Sequence, residues 1–153
     1  MSTGDELQFV VFRVGPQEFA LDIFQVERIL RYERPAALPK APAFLEGVVQ
    51  YGGGVVPVVD LRKRLNLPAE LREETRLMIL AIDSHRVAIL VDQVVEVLRV
   101  EEEAIAAPPP MVRGLAATYI SGIINRPERM VVILNAGKLF DSKERLALVA
   151  AGS

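Results

Sequence analysis

Two carboxylates in the chain, Asp60 and Asp92, each follow an apolar run. A pair of acids held a few ångströms apart could do general acid-base work or hold a polar ligand. Neither has a partner at useful spacing, and both have simpler roles. Asp60 precedes Leu61-Arg62-Lys63-Arg64-Leu65, where an aspartate accepts from the free amides of a helix start. Asn135 would do the same for the second Lys-containing segment. Asp92 reads as a turn-bonding residue. His85, the single histidine, falls beside Arg86 at a hairpin reversal and is read as an exposed turn residue rather than a general base. Gly52-Gly53-Gly54 lies between two strand patterns, lacks a following Lys-Ser/Thr and opens no helix, so it is a hairpin turn and not a phosphate loop. Arg62-Lys63-Arg64 is either a docking patch for an acidic partner or a solvated helix face. Glu101-Glu102-Glu103 is a polar connection.

Composition narrows the chemistry further. There are no cysteines, which removes disulfides, zinc-thiolate sites and thiol nucleophiles, and one histidine excludes multi-histidine metal sites. No cofactor is expected. Lys+Arg 18 against Asp+Glu 20 gives a net charge of −2, without the basic surplus of a non-specific nucleic-acid binder. The first residues have neither a basic nor an apolar region, and no apolar run approaches about 20 residues, so a cytoplasmic location with no membrane insertion is expected. The 153 residues, 51% of them apolar, suit one compact domain or two small lobes sharing a core.

The elements that must position these residues are short and β-rich. Phe9–Val14, Gly15-Pro16 and Glu18–Leu21 read as a hairpin. Leu77–Ile82, Asp83-Ser84 and Arg86–Val91 repeat the design. Further strands are expected at Gly47–Tyr51, Val55–Val59, Val94–Val100, Tyr119–Asn125 and Met130–Leu134. Several are apolar at nearly every position, as when both faces are buried. A short helix follows Asp60. A terminal helix over 142–151 opens on Asp141 and Glu144, the spacing of a capping box, and should dock through Leu146 and Val149. Pro35–Pro42 and Pro108–Pro110 are connections.

The chain also repeats itself. An offset of 68 carries Phe9–Val14 onto Leu77–Ile82, and Val26–Glu33 onto Val94–Glu101. An offset of 75 carries Gly47–Gln50 onto Gly122–Asn125, Val55–Val59 onto Met130–Leu134, and Asp60 onto Asn135. Two copies of about 70 residues imply two small β-barrels that pack together, since each alone buries too little.

In this order the motifs resemble the CheW family of chemotaxis coupling proteins. The carrying residues are Phe9-Val10-Val11-Phe12 to Glu18–Ile23, Val26-Glu27-Arg28-Ile29-Leu30, Leu38-Pro39 with Pro42, and Gly47-Val48-Val49. Val55–Arg62, Leu90–Val94 and Tyr119-Ile120-Ser121-Gly122 complete the set. The resemblance spans about Leu7 to Val149. It implies a mainly β fold of two packed five-stranded SH3-like barrels with a C-terminal helix: one domain over 7–149, built of halves at about 7–66 and 75–140. It further implies a non-enzymatic adaptor between chemoreceptor cytoplasmic tips and the regulatory domain of a CheA-type histidine kinase, recruited to membrane-associated receptor arrays. The receptor-binding groove would include Val26, Arg28, Ile29, Gly52 and Val97. The kinase-binding surface would lie near Glu46, Val55, Arg76 and Leu77, and a ring contact near Ala106 and Met111.

Two coupled positions depart from the family pattern. Arg28 stands where the family has Glu, and Gln50-Tyr51-Gly52-Gly53 where it has Asn-Leu-Arg-Gly. The family's Glu–Arg pair cannot form, which points to divergent receptor coupling. The competing readings are a decoy or assembly regulator that binds the kinase without normal receptor coupling, and a small β-barrel enzyme or ligand carrier using Asp60 and Asp92.

Overall fold

The computed structural model describes residues 6–68, 70–108 and 119–152. Within these, hairpins form where the sequence supplies left-handed backbone. β1 (Glu6–Val14) and β2 (Gln17–Asp22) turn at Gly15, with φ +60°, followed by Pro16. β4 (Leu45–Tyr51) and β5 (Gly54–Asp60) turn at Gly52 and Gly53, both at positive φ. β6 (Arg76–Ile82) and β7 (His85–Val91) turn at Asp83 and Ser84, also both at positive φ. Two-residue turns of this hand match the twist of the strands they join. β3 (Val26–Arg31) and β8 (Gln93–Glu101) are single strands, β9 is Ile105–Ala106, and β10 (Ile120–Arg126) pairs with β11 (Arg129–Leu134). Among the described residues the order also holds the helices α1 (Leu61–Arg64) and α2 (Ser142–Ala151).

The strands form two sheets, in the orders β8-β1-β2-β11-β10-β9 and β3-β6-β7-β5-β4. Both offsets of the repeat reappear in the registers. Val26↔Leu80 and Ile29↔Met78 in one sheet answer Val94↔Phe12 and Val97↔Val10 in the other. Gly47↔Val58 answers Gly122↔Ile133, each beside a β-bulge. β9 has its counterpart in the isolated bridge Ala36↔Val48.

The halves are exchanged. The hairpin β1–β2 does not join β3, β4 and β5, which follow it in sequence; it joins β8, β9, β10 and β11. The hairpin β6–β7 joins the earlier strands. Each sheet is therefore built from both copies of the repeat. The crossing is made by Ile23–Gln25, a single 3-10 turn whose start is capped by the Asp22 side chain accepting from the Phe24 amide.

This arrangement explains the uninterrupted apolar strands. Phe9, Val11, Ala20, Ile124, Val131 and Ile133 fill the inside of the first sheet. Their repeat equivalents Leu77, Ile79, Ala88, Val49, Val56 and Val58 fill the second. The alternate residues, Val10, Phe12, Leu21, Met78, Leu80 and Ile89 among them, meet in a third cluster shared by both sheets. Strands with one face in a barrel and the other between barrels have no solvent side.

Three expectations about the helices change. Asp60 caps α1, accepting from the Arg62 amide, but Asn135 makes no side-chain cap. Asp141 and Glu144 form the expected capping box. α2 docks through Leu148, 8% exposed, whereas Leu146 and Val149 are 72% and 43% exposed. Arg62-Lys63-Arg64 is not a solvated face. Arg62 is buried, Lys63 is exposed and pairs with Glu46, and Arg64 pairs with Glu144 between the rings of Phe44 and Phe140.

Candidate functional site

β3 and β8 occupy equivalent edges of the two sheets, and their side chains divide by face. Residues opposite one another in a ladder share a face. Ile29 faces with Met78 and Val97 with Val10, the side of the inter-sheet core. Arg28 and Leu30 face with Ile79 and Leu77, the inside of their barrel. Val26 is half-buried against the inter-sheet core. Ile29 and Val97, further along the same face, are 40% and 52% exposed. Phe24, in the crossing turn just before β3, is 92% exposed, and Val95 is 36% exposed. An exposed apolar strip thus continues a surface that is core elsewhere in the molecule.

The bulge in β3 changes what the strand presents at the barrel mouth. The register slips between Val26 and Arg28, leaving Glu27 as the extra residue. Arg86 Nε donates to Glu27 Oε1 at 2.9 Å, and the Tyr51 hydroxyl donates to Glu27 Oε2 at 3.1 Å. The Arg86 guanidinium also lies 5.4 Å from the centre of the Tyr51 ring. The hydrogen bond from Arg86 holds the Glu27 carboxyl below the usual glutamate range. Desolvation first, then the neighbouring Glu27, pushes the Tyr51 phenol up. A carboxylate–guanidinium pair, Glu27 with Arg86, therefore lies beside the Gly52 turn. The Arg28 side chain makes no hydrogen bond or ion pair among the described residues. A cleft of about 760 Å³ opens here, lined by Glu27, Tyr51, Gly52–Gly54 and Arg86, with His85 on its wall and Val149 of α2 closing one side.

The remaining expected residues are spread out. Glu46 accepts from Lys63 Nζ at 3.0 Å, and Arg76 donates to the carbonyls of Glu73 and Thr75. Through Leu45↔Val59, Asp60↔Leu90 and Arg76↔Val91, both lie toward one end of their sheet. Val55, paired with Gln50, lies at the other end and lines the cleft. Leu77 is fully buried in the barrel, so its side chain cannot meet a partner. Ala106 is exposed on β9, and Met111 falls outside the described residues.

Asp60 and Asp92 do come together, but around a guanidinium. Arg62 donates to Asp60 through Nε and Nη2, both at 2.9 Å, and to Asp92 Oδ1 through Nη1 at 3.2 Å. Nη1 also donates to the Glu70 carbonyl, and Asp92 Oδ2 accepts from the Gly15 amide at 2.7 Å. Both acids thus serve as counter-charges to the Arg62 guanidinium. Among the described residues no cluster of three or more His, Asp and Glu could hold a metal ion, and no helix is long and apolar enough to cross a membrane.

Comparison with known proteins agrees with this architecture. The CheW-like domain family matches residues 8–144. The chain is similar to a chemotaxis protein CheW of Bacillus subtilis, 33% identical over 97% of this chain and 95% of that one. A CheW of Treponema pallidum is 29% identical over 94% of this chain and 88% of its own length. Among solved structures, the scaffolding protein TtCheW from Thermoanaerobacter tengcongensis aligns with a TM-score of 0.82 at 29% identity, covering 90% of this chain and 94% of that one. The chain belongs to the CheW-like family, and its two sheets are the paired SH3-like barrels of that fold.

Proposed function

We propose that this CheW-like chain is a non-enzymatic adaptor that couples the cytoplasmic tip of a chemoreceptor to the regulatory domain of a CheA-type histidine kinase. It would work in the cytoplasm, recruited to receptor arrays. The observation that carries the reading is the exposure of Ile29 and Val97 at repeat-equivalent positions. An apolar strip on two edge strands suits the apolar face of an amphipathic helix. Val26, at the base of that strip, is part groove and part core. Kinase binding would fall on the surface carrying Glu46, Arg76 and Lys63, or on Val55 at the opposite end of the sheet. A ring contact at Ala106 would engage the exposed edge of the first sheet.

The test is paired binding measurements with a receptor tip fragment and a kinase regulatory domain. Val97→Asp should weaken tip binding by tenfold or more, by placing an unpaired charge in an apolar contact. It should leave kinase binding and the melting temperature in place. Equal tip affinity for the variant and the native chain would remove the reading. Arg28 and Gly52 favour one second reading, an assembly regulator that holds the kinase without normal receptor coupling. That reading expects kinase binding with no measurable tip binding by the native chain.

A further inference from the structure

The repeat allows each charged group at one barrel mouth to be compared with its counterpart at the other. At the mouth of the first sheet, Arg129 Nε donates to Glu18 Oε1 at 2.8 Å and Nη1 to Glu96 Oε2 at 2.6 Å. Arg13 Nη2 adds a bond to Glu18 Oε2 at 3.0 Å. Two carboxylates are there closed over two guanidiniums within the chain. The repeat offsets place Arg86 at the position of Glu18, Arg28 at that of Glu96, and Gly54 at that of Arg129. The signs are reversed, and the bridging side chain is replaced by hydrogen.

The second mouth is therefore one negative charge short. Glu27, whose counterpart is Val95, engages Arg86 and Tyr51. Arg28 faces the same barrel interior, yet its side chain has no hydrogen-bonding or ion-pair partner among the described residues. Where Arg129 would stand, the triglycine turn leaves the cleft of about 760 Å³. Adding a Cβ at Gly53 would meet nothing within 4 Å. The opening admits a side chain from outside beside Glu27 and Arg86, and Arg28 follows Glu27 directly along β3.

We propose that this mouth reads an acidic side chain on the partner helix: an aspartate or glutamate of the receptor tip enters over the triglycine turn and pairs with Arg28. The inference rests on the adaptor reading above and names the charge that its partner must carry. A guanidinium presents a planar fork that a carboxylate satisfies with two parallel bonds. Arg86, fixed by Glu27 and by the Tyr51 ring, keeps a second positive charge at the entrance without competing for the same acid.

The test uses the full chain and a soluble chemoreceptor tip fragment, together with a panel in which each tip aspartate and glutamate is changed singly to alanine. Arg28→Ala should weaken binding about fivefold at low salt, with Arg28→Glu larger, as for rim charges that steer and orient. One alanine variant in the panel should reproduce that loss and add nothing to Arg28→Ala, the coupling expected of a direct pair. Native binding should fall with added salt more steeply than binding by Arg28→Ala. Melting temperatures of both Arg28 variants should stay near native, since the side chain is exposed and unpaired. Arg28→Ala binding within twofold of native at low salt, or losses that add for every tip acid, would overturn the proposal while leaving Val97→Asp to decide the adaptor reading. Failure of the native chain to bind the tip would instead overturn that reading.

Discussion

Arg62 shows how far one side chain can depart from its sequence context. Three consecutive basic residues on a four-residue helix suggest a docking patch or a solvated face, yet Arg62 is 2% exposed. The surroundings decide the matter: Asp60 two residues earlier and Asp92 across the sheet give the guanidinium a full set of acceptors. Only Asp60 was visible from sequence spacing. Removing the cation leaves buried carboxylate charge uncompensated, so Arg62→Ala should cost about 3–5 kcal/mol, read from the denaturant midpoint. A loss under 1 kcal/mol would show that the network is solvated. Glu27 makes the same point about legibility, because its partner Arg86 is 59 residues away. Arg86 donation lowers the Glu27 carboxyl below its unfolded value. The sign follows: the tie contributes at pH values above the unfolded glutamate range and is lost as pH falls through the lower folded value. A carboxyl NMR titration should place the Glu27 midpoint below the ordinary glutamate value, and Arg86→Ala should raise it back.

The hairpins were readable because apolar runs of five to seven residues are punctuated by residues that reach positive φ. β3 was less so, since its bulge breaks the alternation at Glu27. The glycines divide by what surrounds them. Gly47, with φ +147°, lies where a Cβ would stand 2.3 Å from the Ala36 carbonyl oxygen. Gly53, with φ +80°, is open. Gly47→Ala must therefore break the Ala36–Val48 bridge or shift β4, and should cost more than 2 kcal/mol, with backbone strain and collision acting together. Gly53→Ala should cost only about 1 kcal/mol, the left-handed penalty alone. Equal melting temperatures for the two variants would contradict this. The terminal helix is legible at its start but not along its length. Its cap is written locally in Asp141 and Glu144, but which face docks depends on the distant strand β5, where a Cβ added at Gly152 would stand 3.5 Å from Pro57 and from the Val55 carbonyl. Asp141→Ala should lower stability by about 1 kcal/mol through loss of the box.

At the scale of the whole chain, self-similarity disclosed two copies but not their exchange. The reason is physical. Phe12 and Leu80 are repeat equivalents, both apolar and both fully buried. β3 could satisfy the same register against either hairpin, so the pattern of apolar residues is the same for a folded half and for an exchanged one. The three-residue crossing Ile23–Gln25 carries the chain from β2 in one sheet to β3 in the other. The consequence concerns cooperativity. A chain cut between the copies, at residue 70, leaves β1–β2 without β8 and β11, and β3 without β6. Neither fragment then holds a complete sheet, and the inter-sheet cluster, which draws on both copies, is halved. The intact protein should therefore unfold in one transition whether followed by Tyr51 in one sheet or by far-ultraviolet circular dichroism. The fragment 1–70 alone should show collapsed amide dispersion and no cooperative melt. A well-dispersed spectrum from that fragment would mean that β1–β2 can pair with β3 in isolation, and that the exchange is a choice made between two barrels of similar stability rather than the condition for forming either.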